Sequence, residues 1–173
     1  MKNKEHATSN VQNKSDIPLN LKDMSTTNFL HIFEEEQISP EHLGQYVKAS
    51  RDSYPNLQIF SEYIANNKDG ITAAKIIQNC SGYISRSYAY EIISGNTAKH
   101  PNRDVILILC ISCHMNRRMT RRTLEAFQHR ELYLKDPRDL IIATFINNQI
   151  YDLSAINNEL YNYELPLLPI SSL

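Results

Sequence analysis

Residues 76–95 read IIQNCSGYISRSYAYEIISG, and the breaks in this stretch set the architecture of the chain. Thr72 to Ile77 predicts a short helix with Thr72 as N-cap, because a Thr hydroxyl can accept from an orphan N–H of the first turn. Ser81-Gly82 interrupts it. Ser85 then starts a second helix, Arg86 to Ser94, with apolar residues at Ile84, Ala89 and Ile92 and Gly95 standing where a left-handed C-terminal cap belongs. Two short helices around such a break form a helix-turn-helix arrangement, which needs small or apolar residues at the crossing and a free N-terminal end on the second helix. That end is Ser85, Arg86 and Ser87, with Tyr90 one turn further on. A plain helical hairpin in a bundle is the alternative the same spacing allows.

The flanking sequence is helical throughout. Thr26-Thr27 precede Phe29, Leu30, Ile32 and Phe33, an apolar cluster at helical spacing. Ser39-Pro40-Glu41 reads as a helix start, with Leu43, Tyr46 and Val47 as its buried face and a connector from Arg51 to Asn56. Leu57, Phe60, Tyr63 and Ile64 mark a third helix. Asn102 caps a sixth. Val105–Leu109 would also suit a buried strand, but the run continues to Met115 with no partner strand. It therefore reads as a helix apolar on all sides that belongs at the centre of a core. Thr120–Arg130, Asp139–Asn147 and Leu153–Tyr161 complete the set, and Pro166 and Pro169 mark the exit. The expected class is all-α, a compact helical bundle containing a helix-turn-helix. Its divisions are a disordered tail at 1–23, a helical segment at 24–56, the helix-turn-helix core at 57–130, a helical extension at 131–168 and a tail at 169–173.

The 173 residues suit one domain with a tail, and 42% hydrophobic content is enough for a core. The net charge of −1 conceals an asymmetry: residues 1–59 sum to −2, residues 60–98 to zero, residues 99–138 to +5 and residues 139–173 to −4. The basic segment holds Lys99, Arg103 and the group Arg117, Arg118, Arg121 and Arg122. These arginines could form a solvated face, pair with the acidic C-terminus or meet phosphates, since fields are local over a Debye length of about 8 Å. The N-terminus has no secretory pattern, and the longest apolar run, Val105 to Ile111, is far short of the roughly 20 residues that span a bilayer. With three Cys and no disulfide framework, the expectation is a cytoplasmic protein without a membrane partner.

Two separated blocks carry a resemblance. Ser85-Arg86-Ser87-Tyr88-Ala89-Tyr90-Glu91-Ile92-Ile93-Ser94-Gly95 followed by Asn102-Arg103-Asp104 resembles the phage-repressor-type (XRE/Cro-like) helix-turn-helix family. Leu132-Tyr133 through Arg138-Asp139-Leu140-Ile141-Ile142, and then Asn158-Glu159-Leu160-Tyr161, resembles the C-terminal helical extension of a Firmicutes branch of that family. The resemblance covers about residues 57–168. It implies a DNA-binding transcriptional regulator that inserts the helix from Arg86 into the major groove of double-stranded DNA, acting as a homodimer. Ser85, Arg86, Ser87 and Tyr90 would face DNA, Lys99 and Arg103 would flank the phosphates, and Ile84, Ala89 and Ile92 would pack inside. The segment Gln78 to Tyr83 is one or two residues longer than the usual turn, and the helix from Arg86 has one basic residue beside Glu91. A non-catalytic protein-interaction module on the same scaffold, with a protein partner, is therefore the competing function.

Other motifs point to less. Cys110-Ile111-Ser112-Cys113-His114 spells a c-type haem string, but inside an apolar helix the thiols read as core cysteines. A zinc site from Cys80 or His100 lacks a second close-spaced ligand pair. His31 with Glu34 and Glu35, and His129 with Glu131, lie in charged helix ends and make no catalytic constellation. The chain reads as a non-enzyme with neither metal nor cofactor.

Overall fold

Asn102 accepts a hydrogen bond from the Val105 N–H at 2.9 Å and caps the helix Arg103–Ser112. A helix apolar on every side has no face to give to water. In the computed structural model every residue from Val105 to Ser112 is buried, as the sequence predicts. The structure describes residues 24, 26–36, 40, 43–53, 57–66 and 70–170; the tail expected at 1–23 and the cap residues Ser39 and Glu41 lie outside them. Among the described residues the elements are all helices: α1 (Thr26–Glu36), α2 (Leu43–Ser53), α3 (Ile59–Asn66), α4 (Ala73–Asn79), α5 (Arg86–Ile93), α6 (Arg103–Ser112), α7 (Arg117–Ala126), α8 (Pro137–Asn147) and α9 (Leu153–Asn162). The fold is all-α. None of these helices is long and apolar enough to cross a membrane.

The chain divides into two compact units, Met1–Asp52 and Ser53–Leu173. In the first, the rings of Phe29 on α1 and Tyr46 on α2 meet with centroids 6.4 Å apart. Leu43 and Val47, expected to be buried, are exposed, because two short helices have little surface with which to cover one another. Helix α2 also runs on through Arg51 to Ser53, where a connector was expected.

In the second unit α6 packs against α4, α7 and α9, while α3 lies on α5 and α7, and α8 on α7 and α9. Phe60 of α3 and Phe127, with centroids 5.9 Å apart, fill the space between. Several boundaries differ from expectation, each for a local reason. Helix α6 stops at Ser112 rather than Met115 because His114 turns left-handed. Helix α7 starts at Arg117 rather than Thr120, since Asn116 Oδ1 accepts from the Met119 N–H at 3.0 Å. Helix α8 starts at Pro137, with Pro in the first turn and the Asp136 carboxylate accepting from the Arg138 and Asp139 N–H groups. The Asp139 N–H, and then the Arg130 guanidinium, hold that carboxyl below the usual carboxylate range.

The C-terminal ends of α5 to α9 follow one pattern. After α5, the Gly95 N–H bonds Ile92 O and the Asn96 N–H bonds Glu91 O, with Gly95 at φ 73°, a Schellman cap. The same pair of bonds closes α6 at His114, α7 at Gln128, α8 at Gln149 and α9 at Glu164, all with φ between 54° and 60°. Those four side chains sit in a region that strains L-residues. At Gly95 an added Cβ would also run into the Gln58 side chain and the Leu57 carbonyl.

The C-terminal extension is joined to the core by a reciprocal clamp. The dipeptide Arg103-Asp104 opens α6 and Arg138-Asp139 opens α8, and they pair crosswise. Arg103 donates from both terminal nitrogens to Asp139, at 3.0 and 2.8 Å, and Arg138 donates to both oxygens of Asp104, at 3.0 and 2.9 Å. Asp139 is only 1% exposed and also accepts from the Tyr133 N–H at 3.0 Å. The remaining donors gather loose chain: Arg103 bonds the carbonyls of Arg130 and Glu131, and Arg138 those of Pro166 and Leu167. Asn157 on α9 pairs both ways with the Leu168 backbone, at 3.0 and 2.8 Å, and seats Leu168 in the core.

Removing one partner of a buried pair leaves the other charge uncompensated, so Asp139→Ala is expected to cost about 3–5 kcal/mol, whereas the double change Arg103→Met with Asp139→Leu costs much less. Urea denaturation measures both, and an Asp139→Ala chain as stable as the parent contradicts the clamp. By the same assay Gly95→Ala loses at least about 1–2 kcal/mol and Gln149→Gly gains about 0.5–1 kcal/mol, the net of strain relief and added unfolded-state entropy.

Candidate nucleic-acid interface

Helix α4 starts as the sequence predicts, with Thr72 Oγ1 accepting from the Lys75 N–H at 3.2 Å. It runs two residues past Ile77 to Asn79, with Cys80 as C-cap. The chain then turns through Ser81, Gly82 and Tyr83, held by the Tyr83 and Ile84 N–H groups on Cys80 O at 3.0 and 3.1 Å. Gly82 sits at φ 84°, which a glycine adopts freely. Cys80 and Ile84 are buried on either side of the turn. The turn is also fixed from outside: Asn79 Nδ2 donates to Ser112 O of α6 at 2.9 Å, and the Tyr83 hydroxyl meets the Ser154 hydroxyl of α9 at 3.3 Å. Its extra length is therefore built into the packing.

Helix α5 divides by face. Ala89, Ile92 and Ile93 are buried and Tyr88 is half-buried against the core, which agrees with the inward positions that the resemblance implies for Ala89 and Ile92. Ser85, Arg86, Ser87 and Tyr90 are all exposed, Tyr90 at 58%. Ser85 has N-cap backbone geometry, yet its hydroxyl makes no cap hydrogen bond, so the side chain is not spent on the helix's own first turn. Beside this end lies an open groove lined by Ala73, Ala74 and Ile77 of α4 and by Arg86, Ser87 and Tyr90 of α5. The two alanines are what sequence reasoning missed; side chains that small leave the groove open, and no motif advertises them.

The other expected contacts divide. Lys99 is exposed in the loop between α5 and α6, where Thr97 Oγ1 donates to its carbonyl at 2.7 Å. That loop follows the C-terminal end of α5, at the opposite end of the helix from Arg86. Arg103 does not join them. Its guanidinium, which the resemblance would set beside phosphates, is bound to Asp139 and to two carbonyls. Arg117 and Arg118 are exposed at the head of α7 and line a second groove with Arg121, Glu131 and Leu132. Arg121 pairs with Glu125 of its own helix at 3.8 Å, while Arg103 and Arg130 reach Asp139 and Arg138 bonds the Pro166 carbonyl.

The remaining motifs serve the core. Cys80, Cys110 and Cys113 are free thiols, all buried. Burial pushes the Cys110 thiol up to about 12, raises Cys113 well above its ordinary range and raises Cys80 as well. His114 of the haem-like string is exposed and stacks on Tyr151 with centroids 4.7 Å apart. His129 Nε2 bonds Pro101 O at 2.8 Å and its ring meets His100 edge-on. Among the described residues no group of three or more His, Cys, Asp or Glu is placed to hold a metal ion.

No protein-family model, curated protein or solved structure matches this chain.

The buried thiols give a direct check on the packing beneath α5. A raised thiol pKa leaves little thiolate, the reactive form, at pH 8. Ellman's reagent should therefore label none of the three cysteines within minutes in the native chain and all three once it is unfolded in guanidinium. Rapid native labelling at Cys80 would mean that the turn stands open.

Proposed function

We propose that this chain is a DNA-binding transcriptional regulator that lays α5 in the major groove of double-stranded DNA. One observation carries the reading: Ser85, Arg86, Ser87 and Tyr90 share an exposed helix end while the opposite face of the same helix is locked into the core. A helix that enters a groove needs both properties, a bare N-terminal end and a rigid seat. Arg86 is suited to bidentate contact with guanine O6 and N7, the hydroxyls of Ser85 and Ser87 to phosphate or base edges, and Glu91 to accepting from cytosine N4. Helix α5 carries Arg86 against Glu91, so phosphate neutralisation falls to exposed lysines outside it, Lys75 on α4 and Lys99 in the loop that follows α5. An eight-residue helix spans too few base pairs for specificity, so two copies on paired half-sites are expected.

A second reading, a protein-interaction module, draws on the exposed Tyr161, Tyr163 and Leu140 of the acidic extension. It predicts no salt-dependent affinity for any duplex.

Arg86→Ala should lower affinity for a preferred site by about 1–3 kcal/mol and relax the preference at one base pair, whereas Lys99→Ala should weaken all sites alike and reduce the salt slope by about 1. Fluorescence anisotropy at matched salt measures both. Unchanged affinity in the Arg86 variant would contradict the assignment.

A further inference from the structure

We propose that the groove between α4 and α5 reads the 5-methyl group of a thymine that lies next to the guanine contacted by Arg86. This rests on the DNA-binding reading above and adds a second specificity determinant to it. The walls from α4 are the methyl groups of Ala73 and Ala74 and the side chain of Ile77, and the far wall is Arg86, Ser87 and Tyr90. Among the described residues, Arg86 is the one charged residue lining the groove. An apolar trough set against a guanidinium has a close counterpart in the major groove. There, guanine presents two acceptors, and a neighbouring thymine presents the only methyl group among the four base edges. The guanidinium side fits the acceptors, and the alanine side fits the methyl.

Position supports the same occupant. The groove opens at the exposed first turn of α5, so a duplex seated on that turn covers it. Among the described residues no carboxylate lines it to repel a base edge or its phosphate. Water held against the alanine methyls gains nothing from staying, and a thymine methyl that displaces it buries apolar area on both partners. Ala73 and Ala74 set the selectivity, because any longer side chain there would occupy the space. Cytosine, which has hydrogen at the same ring position, would leave the trough unfilled.

The experiment uses the full chain and the duplex it enriches most strongly from a random pool, with each thymine replaced in turn by deoxyuridine, which removes the methyl and nothing else. Anisotropy titrations are expected to show about a fourfold loss at the thymine adjoining the guanine that Arg86→Ala ceases to distinguish. Ala74→Gln, an exposed helix position where a folded variant is verified by circular dichroism, should bind the thymine and uracil duplexes equally. Uracil that is silent at every position, while Arg86→Ala still weakens binding, would overturn the groove and leave the DNA reading standing. A uracil penalty that persists in Ala74→Gln would place the methyl elsewhere and overturn it too. Enrichment of no duplex at all would bring down both.

Discussion

Two copies of the same dipeptide, Arg-Asp, at the heads of α6 and α8, hold each other crosswise, and the arrangement of the larger unit follows from that contact. Each aspartate sits where the positive end of its helix favours an acid, and each arginine is charge-neutralised by the opposite helix. The pairing fixes the relative position of two helix starts, and two stretches without regular structure hang from it. The 130–133 loop is held through Arg103 and Asp139, and the 166–167 segment through Arg138. A buried ion pair contributes modest net stability, because desolvation offsets most of the Coulomb gain. What it contributes here is registry: the extension can dock in one way without leaving a charge unpaired.

From the clamp the constraint passes to the candidate interface through packed elements. Helix α6 is fixed at its head by the clamp and surrounded along its length. At its tail, Ser112 O receives Asn79 from the end of α4. Helix α4 carries the turn, the turn is tied to α9 through Tyr83 and Ser154, and α5 leaves the turn with three residues already buried. The exposed end at Ser85–Ser87 is thus the free tip of an otherwise immobilised helix, which is how a rigid scaffold positions a reading element. The charge asymmetry acquires a structural meaning as well. Part of the basic surplus of residues 99–138 is used inside the protein to hold the acidic extension, which leaves Lys99, Arg117 and Arg118 among the exposed basic groups.

Much of this was legible from local chemistry, and in the run after Asn102 its length decided between helix and buried strand. Thr72 and Asn102 cap the helices they precede, Gly95 ends α5 in the left-handed region, and the apolar run after Asn102 lies at the centre. In the candidate site, Ala89 and Ile92 are buried and Arg86 and Tyr90 exposed, the division that the resemblance of residues 85–95 implied. Illegible features had no local signature. His114 and Gln128 end α6 and α7 where glycine is usual, so those two helices read as running on to Met115 and Arg130. Arg103 looked like a phosphate ligand because its partner Asp139 lies 36 residues away, and only the fold brings them together. The Ala73–Ala74 wall was invisible for the opposite reason: its contribution is the space it leaves.

The most direct measurement is selection of bound sequences from random duplex DNA by the full chain, carried out at a low and a near-physiological salt concentration. If α5 is a reading helix on a dimeric scaffold, a palindromic sequence with half-sites about one helical turn apart is enriched at both, with lower recovery at the higher salt. Recovery of unbiased sequence at both concentrations would contradict the account, since it would mean that the bare end of α5 reads no bases.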